Sequence, residues 1–217
     1  YFHCFGCGAG GDVITFIMKA ENLEYIEAVR FLAERAGMSM PEDAKNNDFS
    51  RLKARILEIN RMAARYFNHV LMKEPYGEKG RLYFSSRKLS VKTITKYGLG
   101  YAPDDWRRLT DHLKSQGCRE DEIVAAHLAR QSQKGGVYDS FRDRVMFPII
   151  DLRGNVIAFG GRIIDGEGPK YLNSSDTPVF KKSRNLFSLN FAKRSEERRL
   201  ILAEGYMDVI AVNQAGF

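Results

Sequence analysis

The chain has 217 residues, 44% of them apolar, and carries 34 Lys and Arg against 27 Asp and Glu for a formal net charge of +7. That is enough apolar material for one large core or two small ones, and no run approaches the roughly 18 uninterrupted apolar residues of a membrane span. Three cysteines, an odd number with two of them three positions apart, do not make a disulfide framework and point to a reducing, cytoplasmic setting.

No secretory signal pattern opens the chain, although it begins at Tyr1 rather than Met and so leaves room for a targeting segment ahead of it. The first residues, YFHCFGCGAGGD, are glycine-rich and unhelical. Asp12 then caps a predicted helix in which Val13, Ile14, Phe16 and Ile17 share a face. Ile26, Val29, Phe31, Leu32 and Ala36 mark a second helix, ended by Gly37. The polar, proline-containing MSMPEDAKNNDFS predicts a linker over residues 38–50, and the charge changes sign there. Residues 1–50 carry 4 Lys and Arg against 8 Asp and Glu, net −4, whereas residues 51–119 carry 16 against 6, net +10. A local basic block suits a polyanion such as nucleic acid, because each neutralised phosphate releases a counterion. A solvated helix surface accounts for the same charges equally well.

A long amphipathic helix is predicted from Arg51 to Met72, with Ile56, Ile59, Ala63, Tyr66, Phe67 and Val70 on its dry side. Shorter helices are expected at about 80–88, at 91–97 behind a Ser90 cap, at 105–116 and at 120–129, with a short strand or loop at LGYAP. After Gly136 the pattern turns to β. RVMFPIIDLRGNVIAFGGRII reads as an antiparallel hairpin turning at residues 151–155. A loop-rich basic stretch follows, then a helix over NFAKRSEERR, then a buried strand at residues 200–203 that leads into a closing helix. The expected fold class is α+β, or mixed α/β.

Cys4 and Cys7 have the spacing that lets two thiolates reach one tetrahedral Zn²⁺, which is half of a site. Two ligands hold zinc poorly, so weak binding is expected, and a lone CxxC also fits redox or incidental readings. His3 reads as a strand residue rather than a ligand, and Cys118 as a bystander. Glu204, at the carboxyl end of a predicted parallel strand, would lie in the crevice where open α/β sheets bind ligands, with Asp208 four residues on. Such paired acids suit Mg²⁺ or Mn²⁺ and phosphoryl chemistry; helix capping explains the same residues without catalysis. Arg144, Arg162, Lys170 and Lys182 supply cations that can clamp phosphates, and Asn173 a neutral hydrogen bond. Tyr171 is either core or a base-stacking platform.

Five stretches together resemble the bacterial replicative primases of the DnaG type: HCFGCGAGGDVITFIM, YGLGYAPDDW, FRDRVMFPIIDLRGNVIAFGGR, PKYLNSSDTPVFKKSRNLFSL and LILAEGYMDVIAVNQAGF. The resemblance implies the C-terminal part of a zinc-binding domain at 1–37, a linker at 38–50, a basic N-terminal subdomain of an RNA polymerase core at 51–199, and the start of a Toprim subdomain at 200–217. It makes Glu204 the catalytic, Mg²⁺-binding carboxylate with Asp208 beside it, and it assigns Arg144, Arg162, Lys170, Asn173 and Lys182 to nucleotide or template binding. The implied reaction is synthesis of short RNA primers from ribonucleoside triphosphates on single-stranded DNA. A Cys-x2-His pair is expected ahead of Tyr1. Further Toprim acids and a domain that binds the replicative helicase are expected after Phe217, so the chain by itself is expected to be inactive. A topoisomerase or nuclease bearing the same acidic module, or a non-catalytic nucleic-acid-binding module, are the competing readings.

Overall fold

The computed structural model describes residues 1–21, 23–40, 44–196 and 199–217, with backbone only at 44–47. The chain forms two compact units, Tyr1–Phe49 and Ser50–Phe217. In the first, β1 (Phe2–His3) pairs antiparallel with β2 (Gly10–Gly11), and the CFGC turn closes the ribbon. His3 is thus a strand residue, as its pattern predicts. Helix α1 (Val13–Glu21) starts where Asp12 Oδ1 accepts the Thr15 amide at 2.7 Å. Helix α2 (Tyr25–Arg35) opens on a capping box formed by Glu24 and Glu27 and stops before Gly37, whose φ of 68° favours a residue without Cβ.

Helix α3 (Ala44–Lys73) begins seven residues earlier than the sequence pattern predicts. Nothing in residues 44–50 is Gly or Pro, so polarity alone does not stop a helix there. Pro41, the strongest linker signal, lies outside the described residues. A 3₁₀ turn at Pro75–Gly77 leads to α4 (Glu78–Ser86) and α5 (Val91–Tyr97), whose Ser90 cap accepts the Thr93 amide at 3.1 Å. Then come β3 (Gly100–Ala102), α6 (Arg108–Ser115) and α7 (Glu120–Ala125). Helix α7 is shorter than expected, because Ala129 enters β4 (Ala129–Gln131), which pairs with β5 (Val137–Asp139).

The hairpin forms as predicted from β6 (Arg144–Ile150) and β7 (Val156–Ile163), with Asp151 Oδ1 accepting the Arg153 and Asn155 amides in its turn. The loop-rich stretch hides a third strand, β8 (Tyr171–Asn173). Sheet order is β3-β6-β7-β8, antiparallel throughout. Side chains alternate between its faces. Met146 and Phe159 pack with Ile56, Ile59 and Phe67 of α3 and with Leu109 and Leu113 of α6. Val145 and Phe147 pack on the other side with Phe84, Tyr97 and Leu99. Both faces of β6 are therefore dry, which accounts for its uninterrupted apolar run.

Two expectations fail near the end. The helix over NFAKRSEERR shrinks to α8 (Leu189–Ala192), with Glu197 and Arg198 outside the described residues. Residues 200–203 are not a strand: Leu200, Ile201 and Leu202 are 71%, 60% and 81% exposed. An apolar run becomes a strand only by pairing, and among the described residues no strand lies alongside it, so Glu204 does not end a parallel strand. The closing helix, α9 (Tyr206–Gln214), forms as expected. Among the described residues no helix is long and apolar enough to cross a membrane.

Candidate active site and nucleic-acid interface

The register of the sheet decides which predicted residues can meet. Phe147 on β6 lies opposite Gly160 on β7, and Gly160 lies opposite Asn173 on β8. Directly paired residues share a face, so these three form one row. Two residues along, Val145, Arg162 and Tyr171 form the next row on the same face.

Tyr206 lies across the first row. Its ring stacks on Phe147 at 5.1 Å and 10°, and its hydroxyl donates to Asn173 Oδ1 at 2.8 Å. Between them Gly160 provides the seat, since a Cβ there would stand 2.5 Å from Tyr206 Cε2. Phe187 closes the ring edge-on at 4.7 Å, and burial pushes the phenol up to about 12. Farther along α9, Ile210 is fully buried, and Gln214 Oε1 accepts the Ser90 amide at 2.8 Å and the Thr93 hydroxyl at 2.6 Å. The closing helix is therefore held to the sheet at its first turn and to α5 at its last.

That docking sets the acids. Gly205, not Glu204, is the N-cap of α9, and the glutamate stands one residue ahead of it. Glu204 and Asp208 are both exposed. Asp208 sits in the first helical turn and folds back over the backbone: its Oδ2 is 2.8 Å from where a Gly205 Cβ would be. Among the described residues no group of three or more His, Cys, Asp or Glu is assembled to hold a metal. Two exposed carboxylates still fit Mg²⁺, which keeps several waters and takes one or two carboxylates plus substrate phosphates.

The cations divide between the faces. Arg162 is half-buried, with its guanidinium 4.9 Å from the Tyr83 ring centre and 5.7 Å from that of Tyr171. Arg87 approaches the same Tyr83 ring at 5.5 Å, a residue that its polar sequence context does not mark. Arg144 is one residue out of phase and lies on the opposite face. It is buried, and its Nη1 donates to Pro169 O at 3.0 Å and Gly161 O at 3.3 Å. Burial, with Arg142 nearby, holds its pKa below the ordinary arginine value. Its visible task is to tie down the loop that ends at exposed Lys170. Lys182 is exposed on a separate 3₁₀ turn, Lys182–Arg184, where its amide donates to Asp176 Oδ1 at 3.0 Å.

A second cationic and aromatic cluster was not legible in the sequence. Trp106 is 62% exposed, Arg142 stacks on it with Cζ 3.6 Å from the ring centre, and Tyr138 meets it edge-on at 5.6 Å. The backbone builds this platform: Asp139 N donates to Trp106 O at 2.7 Å, and Arg142 Nη1 donates to Asp139 O at 2.9 Å.

In the first unit Cys4 and Cys7 are exposed at the two ends of one tight turn. The Cys7 and Gly6 amides approach the Cys4 sulfur and lower its pKa, which favours the thiolate that a metal requires. Cys118 is buried in the core of the second unit, and burial raises its pKa.

Comparison with known proteins bears on both units. Residues 66–193 match the family described as DNA primase catalytic core, N-terminal domain, and residues 1–48 match the CHC2 zinc finger. The chain belongs to the DnaG primase family. The DNA primase of Clostridium acetobutylicum is 44% identical over 219 residues, covering 99% of this chain and 36% of that protein. The DNA primase of Deinococcus radiodurans is 40% identical over 220 residues, covering 100% and 37%. The chain thus spans about a third of the length of these DnaG relatives. A solved DnaG primase catalytic domain bound to ssDNA superposes with a TM-score of 0.72 at 34% identity, over 77% of this chain and 54% of that one. The zinc-binding and RNA polymerase domains of Aquifex aeolicus primase give 0.68 at 34% identity, over 99% and 51%. The DnaG core match includes Arg144, Arg162, Lys170, Asn173 and Lys182, whereas Glu204 and Asp208 lie beyond it.

Proposed function

We propose that the chain is part of a bacterial primase that makes short RNA primers on single-stranded DNA in the cytoplasm. The observation that carries this reading is the shared sheet face. Tyr206 seats the turn bearing Glu204 and Asp208 over the row that contains Asn173, one row from Arg162. Residues 200–217 are read as the start of a Toprim subdomain, 51–199 as the basic part of the polymerase core, 38–50, helical from Ala44, as the connection between the two units, and 1–37 as part of the zinc domain. In the reaction, a primer 3′-hydroxyl attacks the α-phosphate of a ribonucleotide and pyrophosphate leaves. Glu204 and Asp208, with acids from elsewhere in the full-length protein, would hold Mg²⁺ or Mn²⁺, which when bound stabilises the attacking and leaving oxygens. Arg162, with the Tyr83 and Tyr171 rings 4.9 and 5.7 Å from its guanidinium, presents a cation to phosphate, while Lys170 and Lys182 reach from exposed loops. Cys4 and Cys7 would supply two of the four ligands of a structural Zn²⁺. The replicative helicase would be engaged through another part of the full-length protein.

Lys170→Ala in the full-length protein should lower kcat/KM for ribonucleotides by roughly tenfold, the worth of one charge-assisted contact. An unaltered initiation rate rejects the assignment. The Trp106 platform is read as a template contact, because an exposed ring under a guanidinium stacks unpaired bases of any sequence. Trp106→Ala should weaken binding of an oligo-dT strand on the order of tenfold, with Trp106→Phe retaining most of it. Equal affinities for all three proteins, measured by fluorescence anisotropy at low salt, would remove Trp106 from the template path.

A further inference from the structure

We infer that Tyr206 is a positioning residue, and that Asn173 serves the acidic turn rather than a ligand through its carbonyl oxygen. The inference rests on the reading of Glu204 and Asp208 as the acidic site. Its basis is the row Phe147, Gly160 and Asn173, which crosses three strands with a glycine in the middle. A missing side chain between two present ones leaves a slot one residue wide, and the Tyr206 ring fills it. All three members are used: a stacked ring at 5.1 Å, a seat that Cβ would obstruct at 2.5 Å, and a hydrogen bond at 2.8 Å.

The consequence is geometric. Tyr206 is two residues from Glu204 and two from Asp208, so the slot fixes both acids relative to the strand edge. The hydroxyl also fixes the Asn173 amide, since its Oδ1 accepts from Tyr206 and the orientation of its Nδ2 donor is set with it. The same residue therefore sets the acids and the neutral donor together. Stacking alone leaves the ring free to slide along Phe147. The directional hydroxyl bond removes that freedom.

Tyr206→Phe keeps the ring and its packing but deletes the bond. In the full-length protein, backbone amides of the peptide spanning residues 204–210 should exchange with deuterium about fivefold faster, the equivalent of one net hydrogen bond. The Mg²⁺ concentration for half-maximal primer synthesis should rise by a similar factor, while affinity for an oligo-dT strand stays within error and the thermal midpoint falls by no more than roughly 2 to 4 °C. Asn173→Ala should accelerate the same peptide, and the double variant should be no faster than either single one. Unchanged exchange in Tyr206→Phe, or effects of the two substitutions that simply multiply, would overturn the inference. Faster exchange without any change in Mg²⁺ requirement would also overturn the positioning role. If in addition Glu204→Gln made primers normally, the fault would lie with the acidic-site reading and not with the Tyr206 contact.

Discussion

Replacing Glu204 with Gln in the full-length protein should reduce primer synthesis by about 10²- to 10³-fold, the scale of losing one preorganised electrostatic group at a reacting centre. The substitution is isosteric and removes only charge. Its site is exposed, one residue before the helix cap, and none of the contacts that dock α9 involve it: Tyr206 on Phe147 and Asn173, Ile210 in the core, and Gln214 on α5. Folding and oligo-dT affinity should therefore match the unaltered protein, and the loss should appear in kcat at saturating Mg²⁺. A variant that makes primers at the normal rate would return the acids to a solvent-exposed helix start with no catalytic part. Asp208→Asn is the informative companion. Asp208 lies in the first turn, where a carboxylate also gains from the helix dipole, so its loss should lower both kcat and, slightly, the stability of α9.

Local chemistry made much of this fold legible. Asp12 and Ser90 cap helices as their side chains predict, and Asp151 organises the turn that the hairpin pattern requires. What the sequence hid has physical reasons. Strand β8 has three residues, too few to show a period, and exists because β7 offers it a partner. Residues 200–203 have the opposite fate, since an apolar run without a neighbouring strand is not a strand. The division of Arg144 from Arg162 depends on which residue of β7 faces Val145, a register set by the turn and by the bulge between Ile149 and Ile150. Charge alone groups the two arginines; the pleat separates them. The seat of Tyr206 is likewise a property of three strands at once, which no single stretch contains. Trp106 did leave a signal, a lone tryptophan between two aspartates and two arginines in PDDWRR. Its cation, Arg142, is 36 positions away and is brought to it only by β5.

Asp139→Ala should destabilise the second unit by about 3 kcal/mol, lowering the thermal midpoint by roughly 6 to 12 °C, and should weaken template binding at the same time. Asp139 is 2% exposed at the end of β5. Its carboxylate accepts the Leu109 amide at 2.8 Å, the Thr110 amide at 2.9 Å and the Thr110 hydroxyl at 2.5 Å, so it satisfies the start of α6 from a distant strand. Burial pushes its pKa up against the pull of those bonds. Alanine leaves the donors unpaired in a dry site, whereas asparagine at the same position relieves the buried charge and keeps one acceptor. Asp139→Asn should accordingly fall between the parent and Asp139→Ala. Because the Asp139 backbone also holds Trp106 O and Arg142 Nη1, loosening β5 disperses the platform, and oligo-dT affinity should fall in the order of stability. An Asp139→Ala protein that melted like the parent would show that water replaces the carboxylate at the helix start. One that melted early yet bound the strand normally would detach the Trp106 platform from template recognition.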